Sequence, residues 1–287
     1  MNIFRLAGII SLALWIAFAQ SRPVGAEESL PEVDKDPTLE DLFTLYQPYL
    51  GNFKPYEPIY LLIATNPKKS KLQFSFRYQL LNPAGPIVKE NPWAKGLHFA
   101  YTQTSFWDLG SDSAPFEDTS YKPEFFHITD NLSWRPFWLE GLFLQSGLLH
   151  ESNGQGEDES RTTNIFYLKP IAILYNQNTG LGLQFVPKVW FYVRNSKAHN
   201  NDLPDYRGYF ELEIKAGKAD RLVTTTAFRW AEEGGSLQID LNYPVHGAIS
   251  ENLQIYLHLQ YVNALAESLL NYQDRTEALR LGITFIR

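Results

Sequence analysis

Strand-length segments that alternate with period two recur from residue 57 to the C-terminus, and this recurrence restricts the fold more than any other feature. Each is rich in β-branched and aromatic residues and is bounded by Asn, Asp, Gly or Pro. The segments are 57–65, 71–82, 96–107, 122–131, 137–151, 163–175, 181–194, 207–216, 221–231, 236–245, 252–263 and 279–286. That makes twelve, an even number, as closure of an antiparallel ring requires. Long helical periodicity is missing; the best helical window, "NALAESLLNYQ" (263–273), is short. No internal repeat or low-complexity block interrupts the pattern. Some connections are short and others long, such as 108–121 and 194–206, which fits a barrel with short turns at one rim and long loops at the other. The expectation is an all-β fold: a twelve-stranded antiparallel transmembrane β-barrel occupying 56–287.

The N-terminus supplies the context. Arg5 precedes an apolar run from Leu6 to Ala19, and small residues end at Ala26, before Glu27. A positive start, a short apolar core and a small-x-small site describe a secretory signal peptide over 1–26. Residues 27–55 are rich in Pro, Glu and Asp and read as an exported lead-in. Beyond residue 26 no run of 18 apolar residues occurs, so no helical span is expected, but strands that alternate evade hydropathy. With the first 26 residues removed, the chain carries 23 basic and 32 acidic residues, a net of −9. That surplus argues against nucleic acid as the main partner. The absence of cysteine excludes disulfides, thiolate nucleophiles and Cys-based metal sites.

Parity along the strands then separates two faces. One face of 97–107 holds Leu97, Phe99, Tyr101, Gln103, Ser105 and Trp107. One face of 138–152 holds Trp138, Glu140, Leu142, Leu144, Ser146, Leu148, His150 and Ser152, opposite Gly141, Gln145, Gly147 and Glu151, a weaker contrast than in the other strands. One face of 163–175 holds Asn164, Phe166, Leu168 and Leu174. Gln103, His150, Ser152 and Asn164 therefore share the greasier faces. In a soluble sandwich such a face is core, and polar groups there need partners. In a barrel it meets lipid, where polar groups are costly and call for a purpose.

His150 and Ser152, at i and i+2 of one strand, point the same way about 6.6 Å apart. That spacing permits base activation of a serine hydroxyl. Asn164 opens the next strand of the hairpin and can hold the imidazole from the side, as an uncharged acceptor. Gly154 follows at the strand end, where its N–H could face an oxyanion. Taken alone the motif is weak: His-x-Ser in a strand is common, and Asn153-Gly154 is also a turn signal. "GEDES" (156–160) reads first as a solvated loop; its oxygen donors would suit Ca²⁺ over Zn²⁺, without EF-hand spacing. The histidines at 98, 127, 199, 246 and 258 show no zinc-type pairing, and "GLGLQF" (180–185) lacks the βαβ setting of a phosphate loop.

Three blocks carry more weight together: "YTQTSFW" (101–107), "SAPFEDTSYKPE" (113–124) and "HESNGQGEDESRTTN" (150–164). In order and spacing they resemble the outer membrane phospholipase A family of Gram-negative bacteria, from "FTLYQPYL" (43–50) to the last strands. The resemblance implies a nucleophile at Ser152, a base at His150, an orienting residue at Asn164 and an oxyanion amide at Gly154. It also implies calcium beside the oxyanion, held by the Ser160 hydroxyl, the Gln155 carbonyl and the Ser113 carbonyl of a second subunit, with Asp202 at a weaker calcium position. Gln103 would lie in the dimer interface, and dimerisation would switch activity. Gln155 departs from a usual Arg, but only its carbonyl is needed. Glu117 and Lys122 reverse charges common in their block, and the chain ends "TFIR" without a terminal aromatic.

The resulting expectation is a calcium-dependent, dimer-activated phospholipase of the bacterial outer membrane, acting on phospholipids and lysophospholipids. The rivals are a non-catalytic outer-membrane barrel, channel or structural, and a soluble exported sandwich that binds lipid or sugar.

Overall fold

A computed structural model describes residues 38–47, 49–195, 198–246, 249–250 and 252–287. The signal peptide expected at 1–26 lies outside the described residues, as do 27–37 and 48 of the expected lead-in. The chain divides into two units, 1–48 and 49–287. Within the first, helix α1 (Leu39–Tyr46) is opened by a capping box, with the Asp41 N–H donating to the Thr38 hydroxyl and the Thr38 N–H to the Asp41 carboxylate.

The second unit is one closed antiparallel sheet. Its strands are β1 (Phe53–Pro55), β2 (Ile59–Ala64), β3 (Ser70–Gln79), β4 (Leu97–Trp107), β5 (Phe116–Ile128), β6 (Gly141–Ser152), β7 (Thr162–Asn176), β8 (Leu181–Asn195), β9 (Phe210–Gly217), β10 (Val223–Ala231), β11 (Gly234–Pro244), β12 (Tyr256–Leu265) and β13 (Arg275–Ile286). Sequential neighbours pair from β2 to β13, and β13 pairs with β2 to close the ring. β1 and β2 both pair with β3, so they form one position of a twelve-stranded wall, broken at 56–58. Side chains of β3 fill that break: Ser75 accepts the Glu57 N–H (3.1 Å) and Gln73 donates to the Pro58 carbonyl (2.9 Å). Among the described residues no helix is long and apolar enough to cross a membrane.

The two faces of the wall invert the arrangement of a soluble protein. Phe125, Leu148, Phe166, Phe191, Leu281 and many other large apolar side chains are exposed on the outside. Burial instead falls on Lys71, Glu124, Gln145, Glu151, Asp240, His258, Gln260 and Arg280, which point inward. An exposed apolar belt this extensive belongs against lipid. The inward groups satisfy one another, as desolvated polar groups must. Arg280 donates to Gln260 (2.7 Å) and to both carboxylate oxygens of Glu267 (2.6 and 3.0 Å), and Lys71 meets Glu267 at 3.3 Å. Asp240 accepts from Gln260 (2.7 Å) and lies 2.7 Å from His258 Nε2. A cavity of about 580 Å³ remains inside the wall, with Lys71, Gln145, Glu151, Asp240, His258 and Glu267 among its lining.

Several elements depart from the sequence reading, each for a visible reason. β5 starts at Phe116, inside the stretch expected as loop, because 116–121 pairs with β4. β9 starts at Phe210 rather than 207: Pro204 opens a short helix, α2 (Leu203–Arg207), and Gly208 ends it at φ +72°. The helical window 263–273 is the end of β12 followed by a turn. Asp118 of β5 accepts the backbone N–H groups of Leu269 and Leu270 (3.0 and 2.9 Å), so this turn is tied across the barrel mouth. Long connections occur at both rims, since 80–96 and 129–140 lie opposite the 153–161 loop. Pro86 and Pro92 start the two short helical turns within 80–96.

Candidate active site

The β6–β7 hairpin sets the geometry. His150 pairs in register with Asn164 and Ser152 with Thr162, while Ser152 also faces Tyr121 of β5. His150, Ser152 and Asn164 project outward, half-buried, at the rim that carries the 153–161 loop. His150 Nδ1 lies 2.9 Å from Asn164 Oδ1. The Asn164 amide nitrogen donates to the Arg194 carbonyl (3.2 Å). A β-bulge in β8 produces this contact, because the register passes from Asn164–Arg194 directly to Ile165–Tyr192 and leaves Val193 extra. With its nitrogen committed to Arg194, Asn164 presents oxygen to the imidazole. His150 Nδ1 must then carry the proton, and Nε2 keeps its lone pair toward the side of Ser152. Among the described residues the Ser152 hydroxyl makes no hydrogen bond to His150. Such contacts are often long before substrate arrives.

Gly154 follows the strand at φ +70°, and a Cβ there would stand 2.8 Å from the Tyr121 ring. Both the conformation and the space select glycine. The 153–161 loop is organised from inside by buried Asn153, which accepts the Arg161 N–H (2.9 Å) and donates to the Glu159 carbonyl (2.8 Å). Gln155 is exposed on this loop. The Ser160 carbonyl accepts from His199 Nδ1 (3.0 Å) and Arg161 (3.1 Å), which leaves its hydroxyl unclaimed among the described residues.

The remaining expected residues are separate from this constellation. Ser113 sits at φ +65° on the 108–115 loop, which Asp108 organises by accepting the Gly110 and Ser111 N–H groups (2.9 and 3.0 Å) and the Ser111 hydroxyl (2.6 Å). That hydroxyl holds the Asp108 carboxyl below its ordinary range. Asp202 lies on the 198–209 loop, its carboxylate accepting from Tyr272 and Gln273. The Tyr272 bond, then the Gln273 bond, hold its pKa down against the opposing effect of burial. Gln103 faces outward on β4, in register with Tyr121; it accepts from Tyr101 (2.9 Å) and does not touch Asn164.

For a metal, the described residues contain no cluster of three or more His, Asp or Glu. The Ser160 hydroxyl and the Gln155 and Ser113 carbonyls form a different kind of set, all neutral hard oxygens. Such donors fit a calcium ion and not zinc, and three exposed acids, Glu157, Asp158 and Glu159, add negative potential beside them.

Sequence reasoning missed the support behind the site. Glu151, between His150 and Ser152, points into the lumen, where Arg207 (2.6 Å), Ser120 (2.8 Å) and Lys122 (3.7 Å) meet it. Asn200 is buried against the backbone of Thr162. Parity placed Glu151 inward but could not name its partners; nothing local marks Asn200.

The family model described as Phospholipase A1 matches residues 50–285. Phospholipase A1 of Escherichia coli (strain K12) is 26% identical over 191 residues, covering 65% of this chain and 61% of that protein. The chain spans 54% to 61% of the length of the first curated relatives it matches. Two solved structures share the fold. Outer membrane phospholipase A from Escherichia coli has a TM-score of 0.66 at 24% identity, covering 82% of this chain and 98% of that one. The Salmonella typhi outer membrane phospholipase, a dimer with bound calcium, has a TM-score of 0.65 at 23% identity, covering 82% and 92%.

Proposed function

The chain belongs to the phospholipase A1 family, and from that premise we propose that it is a calcium-dependent phospholipase of the outer membrane, which hydrolyses acyl esters of phospholipids and lysophospholipids through Ser152. The observation that carries this reading is the 2.9 Å contact of His150 Nδ1 with Asn164 on the lipid-facing wall, one pleat from Ser152. It is a general base, held in the productive tautomer, where an acyl ester would lie.

In the proposed reaction the Ser152 hydroxyl gives its proton to His150 Nε2 as Oγ bonds to the ester carbonyl carbon. The carbonyl oxygen becomes an oxyanion, toward which the Gly154 N–H donates. The carbon–oxygen bond to the glycerol then breaks, and His150 returns the proton to the departing oxygen. Water repeats the sequence: His150 takes its proton, the hydroxide adds to the acyl carbon, and Ser152 leaves with the proton restored. Asn164 keeps the ring in one tautomer throughout, without the charge an aspartate would bring to a lipid-facing site. Calcium, when bound by the Ser160 hydroxyl, the Gln155 carbonyl and the Ser113 carbonyl of a second copy, supplies Lewis-acid polarisation there. Asp202 is the weaker calcium position. The reading of two copies sharing each site, with Gln103 in their interface, makes dimerisation the switch. The Salmonella typhi relative, a dimer with calcium, supports both points.

The test is fatty-acid release from phospholipid micelles by the refolded mature chain, in calcium and then in excess chelator, beside Ser152→Ala. Release that needs both calcium and Ser152 is expected. A folded barrel that releases nothing in calcium leaves the non-catalytic reading as the better one.

A further inference from the structure

One loop grips the β6–β7 hairpin at three places, and none of its contacts reaches a reacting atom. On the 198–209 connection Asn200 is fully buried, and its side chain serves only Thr162: Oδ1 accepts the Thr162 N–H (3.2 Å) and Nδ2 donates to the Thr162 carbonyl (3.0 Å). It replaces a neighbouring strand for the residue that pairs with Ser152. His199 Nδ1 donates to the Ser160 carbonyl (3.0 Å), and Arg207 donates to Glu151 (2.6 Å), the residue between His150 and Ser152.

The loop is itself anchored on its other side. Buried Leu203 packs with Ala266, Leu269 and Tyr272 of the β12–β13 turn, and Tyr272 and Gln273 donate to Asp202. The gripped segment needs such support, because Gly154–Glu159 is exposed and is held by side chains from its own hairpin, Asn153 on the Glu159 carbonyl and Arg161 on the Asp158 carbonyl (2.8 and 2.6 Å). Exposed backbone of this kind opens locally at small cost, whereas a nucleophile misplaced by about 1 Å can lose about 100-fold in rate.

We propose that the 198–209 loop is the positioning clamp of the nucleophile hairpin, with Asn200 its central positioning residue, set to hold Ser152 and Ser160 in place through Thr162. The proposal rests on the reading of Ser152 as nucleophile. Asn200 acts through Thr162 and touches no substrate, so its loss should lower turnover without altering lipid binding.

The test uses the refolded full mature chain with Asn200→Ala, Asn200→Asp and His199→Ala. The readouts are kcat and KM on phospholipid micelles, the labelling rate of Ser152 by a fluorophosphonate, and the gel mobility of unheated protein as the sign of a folded barrel. The calcium-induced shift in thermal midpoint reports the Ser160 side. For Asn200→Ala we expect kcat and labelling to fall together by about 10- to 100-fold, with KM within about twofold and mobility unchanged. Asn200→Asp keeps the acceptor for the Thr162 N–H but sets a carboxylate against the Thr162 carbonyl, so it should also lose turnover. His199→Ala should need more calcium for the same thermal shift. A folded Asn200→Ala with wild-type kcat and labelling overturns the clamp. If that variant does not fold, wild-type kcat in folded Asn200→Asp and His199→Ala overturns it equally. A wild-type chain that neither releases fatty acid nor labels overturns the nucleophile reading and the clamp with it, a result separable from the others because it appears before any substitution.

Discussion

Asn164 accepts from His150 with its oxygen only because its nitrogen is engaged by the Arg194 carbonyl across the β8 bulge. The tautomer of the histidine is therefore set three strands deep, by a register shift in β8. Asn164→Ala removes the acceptor, so Nδ1 and Nε2 compete for the proton. We expect kcat to fall by about 100-fold or more, with KM little changed, in the micelle assay; loss of a triad orienting group costs up to about 10⁴. Unchanged kcat would show that the ring needs no such partner.

Gly154→Ala should be more damaging than an Ala substitution at an exposed loop usually is. The residue sits at φ +70°, and the new methyl would meet the Tyr121 ring at 2.8 Å. The backbone cost is about 1–2 kcal/mol, and relief of the contact shifts the 154 N–H. A turnover loss of about tenfold or more is expected, since a displaced oxyanion donor loses most of its contribution. The double variant with Tyr121→Ala should recover part of it; no recovery would assign the loss to the backbone alone.

Glu267 should make the barrel acid-labile. Burial pushes its carboxyl up, but Lys71 and Arg280 beside it win and hold it at about 2, below the ordinary 4.5. A depressed carboxyl contributes stability that is fully present above about 4.5 and is lost as pH falls toward about 2. Glu267→Gln should remove that pH dependence and destabilise at neutral pH by roughly 3–5 kcal/mol, because two buried cations lose their counter-charge. Denaturation in vesicles at several pH values reads both effects, and a Glu267→Gln chain whose stability keeps the wild-type slope below 4.5 would refute the assignment.

Leu281 tests the outside-in arrangement away from the site. It is 61% exposed in mid-strand on β13. On a soluble protein Leu281→Arg would change stability by less than about 0.5 kcal/mol. Facing the bilayer midplane it should cost roughly 2–4 kcal/mol in vesicle unfolding. A neutral result would place that face in water.

Much of this molecule is local and was legible in the chain. Period two marks strands because successive side chains leave opposite faces, so twelve wall positions and the outward placement of Gln103, His150, Ser152 and Asn164 followed from spacing. Edges were less secure. Residues 116–121 became strand only through pairing with β4, and 263–273 lost its helical appearance because Asp118 captures the amides of Leu269 and Leu270.

What the sequence determined by itself was the alternation, the strand count and the same-side pairing of His150 with Ser152, because a pleat has a fixed period. Only the tertiary structure decided who stands behind them. Arg207 lies 56 residues from Glu151, Asn200 38 from Thr162, and Glu267 196 from Lys71. No local pattern encodes such separations. They exist because the folded barrel sets the 198–209 connection and the β12–β13 turn against other strands, where each desolvated polar group needs a partner.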